Sequence, residues 1–338
     1  MADGPPPSCL LLGRLQRDTL INAQGQMLVD QPGGNLLYTA AAFRLWGDRP
    51  GLISRVGSDY PASWLADLEE RGLDTRGIVN TSEPADLRRF LAYSDVHTVH
   101  RENPIKFFAQ KNQPIPKSLL GYQAPAPQLD PKHQRSPLSL RGEDIPEAYR
   151  GARAAHLCPL DFISHSLMPV ALREKGVEAI TLDAGRGYMH PSFWDELAEL
   201  VNGLTVFLVK EERLNDLFAG RNVDIWQMMA ALASFNCRAV VVHSTTRGQW
   251  LLDADSGNRY HVPAYPSRLA DITNAGSSFC GGFSAGLLRT QDLLRAVLYG
   301  NAISSLALEG SGAFYVADSL PGLAESRLQV LLEAVQTI

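Results

Sequence analysis

The sequence predicts an α/β fold in which helices flank a central, mostly parallel sheet. Short apolar runs that are typical of buried strands alternate along the chain with helical patterns and glycines. Residues 204–209 form an apolar run of the kind found in parallel strands covered on both faces. The 338 residues, 45% of them hydrophobic, are enough for one large domain or two smaller ones. Of these, we expect a single domain over residues 8–338.

The individual elements follow from the spacing of apolar residues and from the positions of glycine. In chain order, the sequence predicts a strand at 9–13, a hairpin at 19–29, a helix at 36–45, a strand at 51–56, a helix at 64–71, a strand at 178–183, a helix at 192–200, a strand at 204–209, a helix at 225–235, a strand at 238–243, and helices at 278–288 and 293–308. Ligands of such sheets bind at the carboxyl ends of the strands, where we expect Asp183, Lys210 and His243.

One segment departs from this alternation. Residues 102–146 contain eight prolines together with several charged residues. Proline at this density disfavours both helices and sheet ladders, so we expect an extended insertion or a long loop. A mobile loop without function and a lid or partner-binding arm are both compatible with this composition.

Composition and motifs exclude several classes of function. The net charge of −5 provides no basic face for nucleic acid, so a small molecule is the expected ligand. The four cysteines form no CxxC pair and the eight histidines show no HExxH spacing, so we expect neither a disulfide framework nor a zinc or other transition-metal site. The N-terminus lacks the features of a signal peptide, and no apolar segment is long enough to span a bilayer. We expect a cytoplasmic protein that binds neither nucleic acid nor membrane.

The clearest chemical signal is the stretch at 271–283, Asp-Ile-Thr-Asn-Ala-Gly-Ser-Ser-Phe-Cys-Gly-Gly-Phe. The backbone N–H groups of Asn274, Ala275 and Gly276, at the start of a helix that begins near Ser277, predict an anion site strengthened by the helix dipole. Such a site suits the charge that develops on a transferring phosphoryl group. Tight packing of the helix is the alternative explanation for the small residues.

This stretch resembles the C-terminal signature of the ribokinase/PfkB carbohydrate kinase family, whose core is Asp-Thr-x-Gly-Ala-Gly-Asp-x-Phe. Further matches occur in the family's order: residues 13–18 resemble the first strand and its sugar-binding Asp, Gly33-Gly34 the di-glycine signature, residues 51–74 the Val-Gly-x-Asp segment with the helix after it, and Asn301 the residue beside the adenine pocket. The resemblance covers nearly the whole chain except the proline-rich segment. It implies a ribokinase-like fold with a small β lid, contributed by residues 15–29 and roughly 87–93.

The resemblance also implies ligands and site residues. It implies ATP with Mg²⁺, a sugar or nucleoside bound between lid and sheet, and a homodimer formed through lid strands. The implied substrate-binding residues are Gln16, Asp18, Gly33, Gly34 and Tyr38. The implied nucleotide-binding residues are Lys210, Arg213, His243, Thr245, Gly248 and Asn301, and the position of the catalytic base is Ser277.

The chain departs from the family pattern at the base and in the sugar pocket. Ser277 stands where the family has the Asp that takes the proton of the attacking hydroxyl. A serine hydroxyl is a poor base near neutral pH, and general-base catalysis contributes about 10²–10⁴-fold. Asn274 replaces the first Gly of the motif and should crowd the phosphate site. Tyr38 stands where the family has a sugar-binding Asn.

Two further departures concern the metal and the nucleotide. Lys210 and Arg213 replace the outer residues of the family's Asn-x-x-Glu, which organises Mg²⁺, and neither can ligate a cation. They could bind an anion directly, whereas Glu211 or Glu212 would serve the metal if the register shifted by one residue. Residues 243–248 replace the nucleotide loop Thr-Leu-Gly-x-x-Gly and retain its last Gly.

Three hypotheses follow from these departures. The first is a degenerate kinase that binds a sugar-like or nucleoside-like molecule and has impaired or lost phosphoryl transfer. The second is an active carbohydrate kinase with a relocated base, for which Asp271 and Asp183 are candidates; an N-terminal structural cap is the alternative role of Asp271. The third is an interaction protein whose contacts are made by the proline-rich residues 110–140.

Overall fold

A ten-stranded sheet forms the centre of the molecule in the computed structural model, which describes residues 5–47, 49–320 and 322–338. The strands of this sheet and of a second, four-stranded sheet are β1 Cys9–Leu12, β2 Gln16–Ile21, β3 Met27–Gly33, β4 Gly51–Val56, β5 Asp74–Asn80, β6 Arg88–Tyr93, β7 Val99–His100, β8 Ala154–Leu157, β9 Ala179–Asp183, β10 Val206–Lys210, β11 Ala239–Ser244, β12 Gly248–Asp253, β13 Arg259–Val262 and β14 Gln336–Thr337.

The α-helices alternate with these strands along the chain. They are α1 Asn35–Trp46, α2 Ala62–Glu70, α3 Pro104–Gln110, α4 Phe162–Glu174, α5 Trp194–Val201, α6 Glu211–Leu217, α7 Ile225–Ala233, α8 Ala275–Thr290, α9 Leu293–Ala307 and α10 Leu323–Glu333. Within the described ranges, no helix is both long and apolar enough to cross a bilayer.

The strand order of the large sheet is β14-β13-β12-β11-β10-β9-β8-β1-β4-β5. All pairings from β11 through β5 are parallel, whereas β12, β13 and β14 add an antiparallel edge. The central strands are buried along almost their whole length, as continuous apolar runs in parallel sheets require. The predicted α/β class with a mostly parallel sheet is confirmed.

Helices cover both faces of the large sheet. One face packs against α4, α5, α6 and α7 in a core that includes Met168, Leu197 and Met229. The opposite face packs against α1, α8 and α9, with Phe43 and Phe283 at its centre. Two cores separated by one sheet are the arrangement expected of a doubly covered parallel sheet.

Helix α8 lies between α1 and α9, and its glycines explain the close approach. A Cβ on Gly281 would lie 2.2 Å from the carbonyl oxygen of Thr39 in α1. A Cβ on Gly282 would lie 2.8 Å from the carbonyl oxygen of Tyr299 in α9. Tight packing therefore accounts for these two glycines, and the neighbours are helices rather than the sheet.

The four-stranded sheet, which we call the lid sheet, has the order β3-β2-β6-β7. Its strands β2 and β6 are parallel, with Asp18 opposite Arg89, and the outer pairings are antiparallel. The hydroxyls of Tyr93 and Thr273 form a 2.9 Å hydrogen bond between the lid sheet and the loop before α8. A small β lid beside the main sheet matches the expectation.

The proline-rich segment differs in one respect from the expected loop. Helix α3 occupies Pro104–Gln110, although proline density argued against a helix there. Pro104 is tolerated because it stands in the first turn, where its missing N–H has no intrahelical partner. The side chain of Asn103 accepts a hydrogen bond from the backbone N–H of Lys106 and so caps the helix. The rest of the segment contains one-turn 3₁₀ helices at Lys117–Leu119 and Gly142–Asp144.

Candidate functional site

A cavity of about 630 Å³ lies between the lid sheet and the carboxyl ends of the parallel strands. Asp183, Lys210 and His243, at the ends of β9, β10 and β11, line it together with residues 274–277 at the start of α8. The predicted strand-end residues and the predicted anion site therefore face one space. This is the position at which ligands bind in open parallel sheets.

The loop before α8 shapes one wall of the cavity. Asn274 adopts a left-handed conformation with φ of 56°, which asparagine tolerates better than most residues, and α8 begins at Ala275. Ser277 lines the cavity, and its carbonyl oxygen accepts a hydrogen bond from the Thr39 hydroxyl. Asp271 is buried outside the cavity lining, where its carboxylate accepts the backbone N–H of Thr273 at 2.8 Å. That contact fixes the turn of the loop.

The buried carboxylate of Asp183 is held by two neighbours. Its Oδ1 lies 3.3 Å from Nε2 of His243 and 3.5 Å from Nη1 of Arg213. Burial raises the pKa of the Asp183 carboxyl, but the charge and hydrogen bond of His243 and the charge of Arg213 outweigh burial. The pKa therefore lies below its usual value, and Asp183 remains ionised at neutral pH.

The His243 ring lies directly beside the loop before α8. It stacks on Phe279 with ring centroids 5.4 Å apart, and a Cβ on Gly276 would come within 2.9 Å of its Cε1. The glycine at 276 is thus required by the imidazole, and the Asp183–His243 pair adjoins the predicted anion site.

One group of side chains in the described part of the chain has metal-ligating donors close together. These are Asp183, His243 and Cys280, whose donor atoms lie within 4.8 Å of one another. Arg213 already places a positive charge against Asp183. Burial raises the pKa of the Cys280 thiol well above its usual value, which keeps the sulfur protonated. This donor set does not suit a cation.

The cavity also does not fit the Mg²⁺ that the family resemblance implies. Mg²⁺ requires oxygen ligands, and the expected Asn-x-x-Glu positions carry Lys210 and Arg213. Nζ of Lys210 lies 2.8 Å from the carboxylate of Glu212, and Nη1 of Arg213 lies 3.5 Å from the carboxylate of Asp183. Two of the three carboxylates that line the cavity are thus already paired with protein cations.

The expected sugar-binding carboxylate, that of Asp18, forms an ion pair. Arg89 of β6 makes a two-point contact with Asp18 of β2, with Nε donating to Oδ1 at 2.9 Å. Its Nη1 also donates to the side-chain oxygen of Asn274 at 3.3 Å. Burial alone would lower the pKa of Arg89, but the charge of Asp18 outweighs burial and raises it. Arg89 therefore joins the lid sheet to the anion site.

The expected substrate-binding residues lie on the other side of this ion pair. Asp18 and Tyr38 line a second cavity of about 570 Å³, whose lining also includes residues from the segment 306–320. Gly33 and Gly34 pack against Asp18, whose Oδ2 accepts the Gly34 N–H at 3.4 Å. Gln16 begins β2. The structure thus does not bring the expected substrate-binding and anion-site residues into one cavity.

Only some of the expected nucleotide-binding residues line the 630 Å³ cavity. Thr245 lines the 630 Å³ cavity with Lys210, Arg213 and His243, whereas Gly248 and Asn301 lie outside it. A Cβ on Gly248 would lie 2.1 Å from the carbonyl oxygen of Val262. The Asn301 amide donates to Pro263 O and accepts from Tyr265 N, so both residues fix the 262–265 segment.

Sequence reasoning missed several residues of the cavity wall, among them three arginines and a tyrosine. Arg89, Tyr93 and Arg101 reach it from the lid side, and Arg186 comes from the turn after β9. Arg89 and Tyr93 could have been identified from the sequence, because they lie within the expected lid strand at 87–93. Arg186 follows the strand end at Asp183 closely, so its position at the cavity was also accessible to the strand-end argument.

Comparisons with known proteins agree with this architecture. Residues 165–319 match the sequence profile of the pfkB family of carbohydrate kinases. A cytidine kinase of Thermococcus kodakarensis is 25% identical over 294 residues, which cover 86% of this chain and 92% of that protein. The chain is thus similar to pfkB-family carbohydrate kinases over residues 165–319, and to a kinase of nucleosides over most of its length.

Solved structures of PfkB-like kinases share the fold. A provisionally assigned ribokinase II from Escherichia coli, in complex with ATP and Mg²⁺, superposes with a TM-score of 0.70 at 18% identity, covering 96% of this chain and 99% of that chain. A fructokinase from Vibrio cholerae with bound fructose, ADP and calcium gives 0.67 at 19% identity, covering 96% and 99%. The chain is thus similar in fold to kinases whose structures contain nucleotide, metal and sugar.

Proposed function

We propose that this chain is a degenerate PfkB-family kinase. It binds a sugar-like or nucleoside-like small molecule, and its ATP-dependent phosphoryl transfer is impaired. The observation that carries the proposal is the state of the carboxylates: Ser277 stands at the family's base position, and the buried Asp183 of the same cavity contacts His243 and is ion-paired with Arg213.

The loss of a general base sets the expected size of the defect. Proton removal by a positioned base contributes about 10²–10⁴-fold to a reaction rate. Asp271 does not compensate, because its carboxylate is turned into the loop and accepts the Thr273 N–H. Ser277 can position a hydroxyl but holds no negative charge near neutral pH.

The ligand class rests on the family and on the polar groups of the two cavities. The similar proteins include a cytidine kinase and a fructokinase with bound fructose, so a nucleoside or a sugar is the proposed ligand. Asp18 and Tyr38 offer hydrogen bonds to hydroxyls at the second cavity. Asp18 must exchange its contact with Arg89 to do so, because the two are fully paired in this structure.

A phosphotransfer assay over sugars and nucleosides, with ATP and Mg²⁺, tests this function. We expect turnover at least 10²-fold below that of ordinary kinases, which run at about 1–100 s⁻¹. Ser277→Asp should raise the rate. Ser277→Asn should not, because asparagine is about as large as aspartate but has no basic carboxylate. Wild-type turnover in the ordinary range contradicts the proposal.

An active kinase with a relocated base is the second candidate. The observation in its favour is the Asp183–His243 pair beside Gly276, because a carboxylate-oriented imidazole is a common proton acceptor. In that case His243→Gln and Asp183→Asn should each abolish a measurable wild-type activity, and Asp271→Asn should leave it unchanged. Equal rates for all three variants and the wild type exclude this route.

A further inference from the structure

The 630 Å³ cavity carries a surplus of positive charge in a chain of net charge −5. Its arginines and lysine number five, against three carboxylates; the five cations are Arg89, Arg101, Arg186, Lys210 and Arg213. A local field of this sign attracts anions and opposes the entry of a divalent cation.

The cations are differently engaged. Arg101 and Arg186 are exposed and make no ion pair with any residue in the described part of the chain. Lys210 is paired with Glu212, whose side chain is 75% exposed, so this contact is weak and readily exchanged for a ligand. Arg213 donates to the Ala184 carbonyl and lies against Asp183, which fixes its guanidinium at the cavity wall.

We infer that this cavity binds a phosphate-bearing group directly through Lys210 and Arg213, without a divalent cation. The inference rests on the proposed function, since it concerns the same cavity, and it follows from the misfit of this donor set to Mg²⁺. Arginine presents several N–H groups in a planar fork that matches phosphate oxygens, and lysine adds a mobile point charge. Together these two charges would supply the neutralisation of phosphate that Mg²⁺ otherwise provides.

Isothermal titration calorimetry of the full chain tests the inference, with ADP and inorganic pyrophosphate as probes. Each probe is titrated in EDTA and in excess Mg²⁺ at the same ionic strength. We expect the dissociation constant for ADP in EDTA to be within about twofold of its value in Mg²⁺, and to rise with added salt. Comparable binding of pyrophosphate assigns recognition to the phosphates alone, and tighter binding of ADP assigns part of it to the nucleoside.

Two variants and two matched controls locate the binding to these side chains. Lys210→Asn should weaken ADP binding in EDTA about tenfold or more, because it removes a charge-assisted contact. Lys175→Asn is its control, since Lys175 is similarly exposed and also pairs with a glutamate, but lies outside the cavity. Arg213→Gln should act in the same direction, with Arg173→Gln as control, because Arg173 also donates to a backbone carbonyl.

Thermal unfolding of each variant shows whether it is folded, and Lys210→Asn is the decisive one because its pair is largely solvent-exposed. Binding of ADP and pyrophosphate only in Mg²⁺, absence of binding in both buffers, or equal affinities of Lys210→Asn and Lys175→Asn each overturn the inference. The phosphotransfer assay is independent, so a slow enzyme that needs Mg²⁺ for ADP would refute this inference and leave the proposed function standing.

Discussion

Replacing Arg89 with methionine should lower the free energy of unfolding by about 3 kcal/mol. Arg89 and Asp18 form a two-point ion pair whose side chains are 20% and 9% exposed. Removing one partner of a buried pair costs about 3–5 kcal/mol, because the other charge is left without compensation. The lower end applies here, since water reaches a fifth of the arginine and partly screens the charge that remains.

Arg17→Met is the matched control for this change. Arg17 also contacts a carboxylate of the lid sheet at two points, with distances of 3.0 and 2.8 Å to Asp30. These side chains are 22% and 29% exposed, so the acid of the control pair is about three times as exposed as Asp18. Exposed pairs contribute about 0–1 kcal/mol, and we expect a loss of no more than about 1 kcal/mol.

Urea unfolding followed by tryptophan fluorescence measures both losses. The double variant Arg89→Met/Asp18→Asn should recover most of the stability lost in Arg89→Met, because asparagine leaves no buried charge. Equal losses for Arg89→Met and Arg17→Met would refute the reasoning. A double variant no more stable than Arg89→Met would refute it as well.

Three further perturbations test the packing, the buried histidines and the lid contact. Gly281→Ala should cost about 1–3 kcal/mol of unfolding free energy, despite the higher helix propensity of alanine, and an unchanged urea midpoint contradicts the close approach of α8 to α1. Burial lowers the pKa of His156 and of His165 to about 4, below the value near 6.5 in the unfolded chain. Stability should therefore be retained above pH 6.5 and fall towards pH 4, by at most about 2.7 kcal/mol per pH unit, and unfolding curves that coincide at pH 6.5 and 5 contradict this. Tyr93→Phe removes the hydrogen bond to Thr273, so lid amides should exchange about fivefold faster, and unchanged exchange rates argue against a lid contact.

Several elements were accessible from the sequence because their apolar pattern is set locally. The predicted strands and helices around 178–308 agree with β9 to β11, α5 and α7 to α9 within a few residues at each end, whereas α6 and β12 were not predicted. Helix α4 was missed because Pro169 interrupts it, and β13 because it is only partly buried and so lacks a clear apolar period. Helix α3 was missed because proline, which disfavours the interior of a helix, is tolerated in its first turn, where Pro104 stands.

The candidate site was likewise predicted only in part. The small residues at 274–277 and the strand ends at Asp183, Lys210 and His243 were predicted together, since parallel strands place their carboxyl ends on one edge. Which carboxylates are free and which form ion pairs was not predicted. Whether Asp183 is free or paired depends on Arg213, which is 30 residues away in the sequence and adjacent only in the folded chain.

The sequence by itself thus determined the α/β order, the family resemblance and the position of the loop at 271–277 beside the strand ends, where an anion site stays a prediction. Local pattern and backbone chemistry suffice for these. Only the tertiary structure decided that Arg89 closes on Asp18, because this contact depends on the parallel register of β2 and β6. It also decided that Arg213 lies against Asp183 and that five cationic side chains line one cavity, because the charge of a site depends on which side chains meet across distant strands.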